Sequence, residues 1–241
     1  MELKMNQFER EEWLIGKEGL SKLRKAKLAV YGIGGVGSFV CEGLARAGIG
    51  EIALIDGDKI EETNLNRQIH ALHSTLGKDK AQAMKERILD ICPETKVHTY
   101  ARTDFAEGEE TLLEQEKWTY VVDAVDTIST KLKLIEKATK RQIPIISCMG
   151  TGNKMDPSLF RIEDIFSTSV CPLAKVMRKE LRQRGITKLK VLYSTEVPKP
   201  RLLEVQKEER KQTPSSISFV PSVAGLLIAG EVIRDILETL D

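Results

Sequence analysis

The chain has 241 residues, of which 41% are hydrophobic and 30% charged, and its 37 lysines and arginines against 36 aspartates and glutamates leave a formal net charge of +1. That length buries the core of one large α/β domain without cross-links, and the near-neutral charge excludes a uniformly basic surface, so a nucleic-acid partner would need a local basic patch. The four cysteines, Cys41, Cys92, Cys148 and Cys171, form no CxxC, which argues against a disulfide framework and against a structural zinc site.

The N-terminus, MELKMNQFEREEW, is too charged for a secretory leader, so a cytoplasmic protein is expected, with residues 1–26 as a helical arm. From Lys27 the sequence runs KLAVYGIGGVGSFVCEGLARAGIGEIALIDGD. Residues 28–31 predict a buried strand, 32–37 a turn, 38–47 a helix and 51–56 a second strand, which together make a βαβ unit. Residues 78–91 predict a helix with Ala81, Met84, Ile88 and Ile91 on one face. Strands follow at 97–101, 120–124 and 144–148, with helices at 109–116 and 130–141 between them. The alternation predicts a Rossmann-like, doubly wound, mostly parallel sheet over residues 27–150, with ligands beyond the carboxyl ends of its strands.

After Met149 the pattern changes to a loop, a short strand at 159–165, and a basic amphipathic helix at 172–184 with Leu173, Val176, Met177 and Leu181 along one side. An edge strand is expected at 190–194, and a mobile segment at 196–216, where three prolines interrupt dense mixed charge. Pro221 then opens a final helix reaching 240. Its apolar run at 223–233 contains Glu231 and is far short of the ~20 residues that span a bilayer. The region 151–241 is thus expected to serve the substrate and a dimer contact.

Gly32, Gly34 and Gly37, with Gly35 among them, satisfy GxGxxG between a strand and a helix, and Asp56 follows the last of them by 19 residues. Amides at a helix N-terminus suit phosphate oxygens, and the aspartate suits ribose hydroxyls. The motif alone does not choose between NAD and ATP. Residues 175–211 hold twelve basic and five acidic positions, a local +7. Arg178, Lys179, Arg182, Arg184, Lys188 and Lys190 are the candidates there for a phosphate backbone; a solvated charged face reads the same way.

The stretches GIGGVGS (32–38), LIDGD (54–58), TNLNRQ (63–68), GKDKAQ (77–82) and VVDAVDT (121–127) resemble, in order and spacing, the adenylating enzymes related to ubiquitin activation. That family includes the molybdopterin- and thiamine-synthesis adenylyltransferases. The resemblance implies ATP and Mg²⁺ as cofactors. It places Asp56 at the ribose with Asp58 in the same group, Asn64 and Arg67 at the triphosphate, and Lys80 where charge builds as the α-phosphate is attacked. Asp126 would hold Mg²⁺ near the departing pyrophosphate, and Arg10 would reach the ATP of the partner subunit in a homodimer. Each also has a plain reading: Arg67 as a surface charge, Lys80 as a helix residue, Asp126 as a helix cap.

TNLNRQIHAL, PLAKVMRKELRQRGI and SSISFVPSVAGLLIAGEVI resemble a narrower bacterial branch of that family, the dehydratases that act on threonylcarbamoyladenosine in tRNA. This implies modified tRNA as partner, activation of the threonyl carboxylate by ATP, and ring closure by the substrate's own carbamoyl nitrogen with release of AMP. Cys171, at a predicted helix N-terminus, is the one candidate for an acyl-accepting thiol; the plainer alternative is that it caps or packs beneath the helix. A sulfur-transfer protein remains a candidate partner. Two other readings stand beside this one: activation of the C-terminal glycine of a sulfur-carrier or ubiquitin-like protein, and an NAD(P)-binding Rossmann sensor or oxidoreductase. The last leaves Asn64, Arg67, Lys80 and Asp126 without a role.

Overall fold

Short runs of β-branched and aliphatic residues, free of charge at their centres, set the interior strands of the sheet. The computed structural model describes residues 6–101, 112–115, 117–203 and 214–239. Among these, seven strands form one sheet: β1 (Lys27–Tyr31), β2 (Glu51–Ile55), β3 (Lys96–Tyr100), β4 (Tyr120–Asp123), β5 (Ile145–Cys148), β6 (Phe160–Asp164) and β7 (Lys190–Ser194). The order is β3-β2-β1-β4-β5-β7-β6, parallel throughout except for β6, which runs antiparallel to β7.

The helices are α1 (Glu9–Lys25), α2 (Gly37–Arg46), α3 (Lys80–Ile91), α4 (Leu112–Gln115), α5 (Ile128–Lys140), α6 (Pro172–Gln183) and α7 (Phe219–Thr239). Side chains alternate across each strand, so the sheet buries two faces. Leu28, Val30, Ile52 and Leu54 pack with α2, α3 and α7 on one face. Ala29, Tyr31, Ala53 and Ile55 pack with α4 and α5 on the other, where Leu112, Trp118, Leu134 and Ala138 meet them. A further cluster joins α5 and α6 through Ile135, Cys171, Met177 and Leu181.

The expected doubly wound, mostly parallel sheet and the final helix are present, and Pro221 lies in the first turn of α7. One expectation is corrected: 190–194 is not an edge. β7 lies between β5 and β6, with Val191, Leu192, Tyr193 and Ser194 all buried. The edge is β6, whose sequence FRIED alternates Phe160 and Ile162 inward with charges outward, the pattern an edge tolerates. The expected helix at 109–116 is described only as α4; residues 109–111 and 116 lie outside the described residues.

Of the segment expected to be mobile, residues 204–213 lie outside the described residues. Its flanks are held. The buried Glu196 carboxylate accepts from the Met155 and Asp156 amides at 3.0 Å, and Ser215 N donates to Asn153 Oδ1 at 2.8 Å. α1 is likewise docked, through Leu20 and Leu23, and it bends at Gly16. No described helix is long and apolar enough to cross a membrane.

Candidate nucleotide site

In this strand order the chain reverses direction between β1 and β4, and the crevice beyond their carboxyl ends is where such sheets bind ligands. β1 runs into the glycine turn. Gly32 has φ +83° and sits so close to the β4 loop that a Cβ there would lie 2.7 Å from the Ala124 carbonyl oxygen; a Cβ on Gly37 would lie 1.8 Å from the Gly32 oxygen. Only glycine allows the turn to fold this tightly and to start α2 with its amides facing the crevice.

β2 delivers the carboxylates. Asp56 Oδ2 accepts from Ile33 N at 2.6 Å and Oδ1 from Asp58 N at 2.8 Å, so Asp56 ties the end of β2 to the glycine turn. Burial raises its pKa, and the two amides and the charge of Lys80 oppose that rise. A carboxylate has about four acceptor positions, which leaves capacity for ribose hydroxyls. Lys80, at the start of α3, donates from Nζ to Asp58 Oδ2 at 2.7 Å, and its backbone N donates to Asp58 O at 3.0 Å. Its stem is buried while the Asp58 carboxylate is exposed. Asp56, Asp58 and Lys80 therefore lie together at the carboxyl end of β2.

The TNLNRQ loop folds as one 3₁₀ turn, Glu62–Asn64, followed by further turns. Asn64 is buried and its Oδ1 accepts from Glu61 N at 3.1 Å, so it shapes the loop. Arg67 donates to Thr63 O and to Asn66 Oδ1, each at 2.9 Å; its stem runs beside Gly35, and partial burial lowers its pKa. Pro221 of α7 packs on Gly35 as well, and Asn66 Nδ2 donates to Ser216 O at 3.2 Å. The chain leading into α7 thus runs alongside the crevice.

Asp126 lies on the loop after β4, exposed, with Thr127 Oγ1 donating to its Oδ1 at 3.2 Å. Among the described residues, no three of His, Cys, Asp or Glu converge as metal ligands. A single exposed carboxylate fits Mg²⁺, which keeps most of its waters and is held by one or two carboxylates together with substrate phosphates.

Arg10 is not brought to this site within its own chain. It is exposed on α1, and Phe8, two residues before it, packs on Gly48 at the opposite end of the sheet, where β2 begins. Cys171 is buried at the head of α6 among Met149, Ala174 and Met177, with no side-chain hydrogen bond to the helix, which fits the packing alternative rather than an open nucleophile.

The six basic candidates divide. Arg178 donates to Thr168 O at 3.0 Å and to its hydroxyl; Arg182 lies over the Phe166 ring, 5.1 Å from its centroid. Arg184 pairs with Glu136 at 2.6 Å and Glu180 at 2.8 Å, and Lys190 pairs with Glu231 and Asp235. Arg182 and Arg184 are nonetheless exposed, as are Lys179 and Lys188, for which no ion pair is found among the described residues.

Two residues that sequence reasoning did not single out lie under the glycine turn. Gln68 Oε1 is buried with no hydrogen-bond partner and the Gln68 amide points toward Gly34, while the buried His70 ring lies against the Ile33 backbone. Burial, aided by the nearby charge of Lys80, pushes the His70 pKa down to about 4. Both stand within NRQIH, and nothing in a polar loop sequence distinguishes a buried polar side chain from a solvated one.

This fold and site define a family. A model of the ThiF family matches residues 8–240, and the chain belongs to it. The chain is 45% identical to the Bacillus subtilis tRNA threonylcarbamoyladenosine dehydratase, over 98% of this chain and 97% of that protein. It superposes on the Escherichia coli tRNA N6-threonylcarbamoyladenosine dehydratase in complex with ATP with a TM-score of 0.86 and 30% identity, covering 96% of this chain and 93% of that one; the same enzyme in complex with AMP gives the same score. Likeness to an adenylyltransferase and sulfurtransferase of Vanderwaltozyma polyspora is 32% and spans only 62% of this chain and 34% of that protein.

Proposed function

We infer that this chain is an ATP-dependent enzyme that cyclises threonylcarbamoyladenosine in tRNA. The observation that carries the reading is the extent of the likeness. Similarity to the dehydratase runs the length of the chain, through α6, β7 and α7, whereas similarity to the adenylyltransferase and sulfurtransferase covers 62% of it. The activity is therefore attributed to the whole chain and not to a nucleotide-binding core alone.

The threonyl carboxylate and the triphosphate are both anions, so attack of a carboxylate oxygen on the α-phosphorus needs positive charge placed in advance. Lys80 and Arg67 would supply it, with Asn64 shaping the loop that carries Arg67. Asp56 would hold the ribose, and the amides of the glycine turn would face phosphate oxygens. Asp126 would hold Mg²⁺, which when bound neutralises the departing pyrophosphate. Lys80 is paired with Asp58 at 2.7 Å, and the incoming phosphates would compete for that pairing.

Adenylation forms the acyl–O–P bond and breaks the bond to pyrophosphate. The substrate's own carbamoyl nitrogen then attacks the acyl carbon, loses its proton, and expels AMP. No enzyme nucleophile is required, because the attacking atom is already tethered to the acyl group and proximity supplies the rate. The burial of Cys171 accords with such a path.

A homodimer is part of the proposal. Trp13 and Leu14 on α1 and Phe219, Leu226 and Leu227 on α7 are exposed apolar side chains, more than a monomer usually leaves open. The distance of Arg10 from its own crevice suits delivery to a second copy. Lys179 and Lys188 are the basic residues best placed to meet tRNA phosphates, in the cytoplasm, and a sulfur-transfer protein remains a candidate partner.

The test is AMP and pyrophosphate release from ATP with tRNA that carries or lacks the modification, with the nucleoside analysed by mass. Release and a product lighter by one water, only with modified tRNA, is the expected result. Stimulation solely by a small protein ending in Gly-Gly would overturn it in favour of the sulfur-carrier reading, and tight NADH binding without ATP turnover in favour of an oxidoreductase.

A further inference from the structure

Beneath the crevice lies a fully buried charged network that the proposed chemistry does not use. Lys131, on α5, and Asp123, at the end of β4, are 1% and 0% exposed. Lys131 Nζ donates to Asp123 Oδ2 at 3.1 Å, to Ser147 Oγ at 3.4 Å and to the Cys148 carbonyl at 2.7 Å, which occupies all three ammonium protons. Ser147 Oγ donates to the same Asp123 oxygen at 2.5 Å.

A buried ion pair is weak evidence for stability, since a well-packed apolar pair commonly serves as well. What this one supplies is geometry. Asp123 Oδ1 accepts from Val125 N at 3.2 Å, and Lys131 N donates to Thr127 O at 3.0 Å to close the first turn of α5. One residue therefore fastens both ends of the 123–127 loop: its start through the side chain, its finish through the backbone. Asp126 lies between. Ala124 N also donates to Tyr31 O at 2.8 Å, holding the same loop against the glycine turn.

We propose that Lys131 is a positioning residue: acting through Asp123, Ser147 and the Cys148 carbonyl, it fixes the 123–127 loop and so the Asp126 carboxylate relative to the glycine turn. The relevance to catalysis rests on the reading given above; the mechanical role does not.

Two variants test this. Lys131→Met leaves Asp123 buried without its cation and is expected to lower the denaturation midpoint. Asp123→Asn/Lys131→Met removes both charges while keeping an acceptor for Val125, and is expected to unfold near the parent midpoint. In the double variant the bonded Ala124 and Val125 amides are expected to exchange with deuterium at least about 10-fold faster while those of β1 and β4 stay protected. AMP formation at saturating ATP should fall by about 10-fold, with the KM for ATP changed far less. Unchanged exchange in the loop overturns the proposal, and so does faster exchange with full AMP formation. If the parent protein forms no AMP with modified tRNA, the dehydratase reading fails, and the exchange measurement still decides the role of Lys131.

Discussion

Lys190 Nζ lies 2.7 Å from both carboxylate oxygens of Asp235, forty-five residues away on α7, and 2.7 Å from Glu231. Tyr120, on β4, donates its hydroxyl to Asp235 Oδ2 at 2.6 Å. A lysine that reads in the sequence as part of an RNA-binding patch is thus committed to pinning the final helix to the sheet. Asp235→Ala is expected to cost about 1–3 kcal/mol, because it strands the buried tyrosine hydroxyl. Lys190→Ala should cost less than about 1 kcal/mol, since the amine is partly solvated, and should leave tRNA affinity unchanged. Urea denaturation and a tRNA titration check both; a weaker titration in Lys190→Ala would return this residue to the RNA surface.

Lys179 and Lys188 are exposed, and they are where the tRNA prediction now rests. Replacing both by alanine is expected to weaken tRNA binding and to reduce the salt slope by about 0.7–0.9 for each phosphate that the variant no longer neutralises. Nucleotide affinity should not change. Affinity measured across a series of salt concentrations is the check, and a slope equal to the parent's would make α6 a solvated face.

Lys80→Ala and Cys171→Ala separate two mechanisms. On the proposed role of Lys80, the first would remove positive charge from the developing transition state and is expected to cost on the order of 10² in AMP formation. The second exchanges one small buried group for another and should leave cyclisation within a few-fold of the parent. Side-by-side assays of AMP and of the cyclised nucleoside decide this; a thioester trapped on Cys171 would contradict it.

His70 makes a prediction about pH. Its pKa is depressed from 6.5 to about 4 by burial and by Lys80, so the folded state keeps the ring neutral at pH values where the unfolded chain protonates it. The contribution to stability is full above 6.5 and is lost progressively as the pH falls toward 4. Denaturation midpoints measured through that window should decline, and the decline should be smaller in His70→Leu.

The sequence by itself determined the nucleotide-binding half of this protein. Strand, glycine turn, helix and aspartate are contiguous, and the backbone limits that make Gly32 and Gly37 obligatory act over a few residues, so the motif and its geometry are one statement. Asp56 and Asp58 follow β2 and Lys80 opens α3, elements whose periods are legible, so the region in which the three lie was readable in the sequence. Only the tertiary structure decided which charges are free and which polar groups are buried. Lys190 faces Asp235 across 45 residues, Ser147 reaches Asp123 across 24, and the buried His70 looks like any solvated histidine in a string of letters. β7 became an interior strand for the same reason: five residues carry a period, but not the identity of the strand that will lie beyond them. Local periodicity is fixed by the chain's covalent geometry, whereas pairing and burial depend on contacts between elements far apart in sequence.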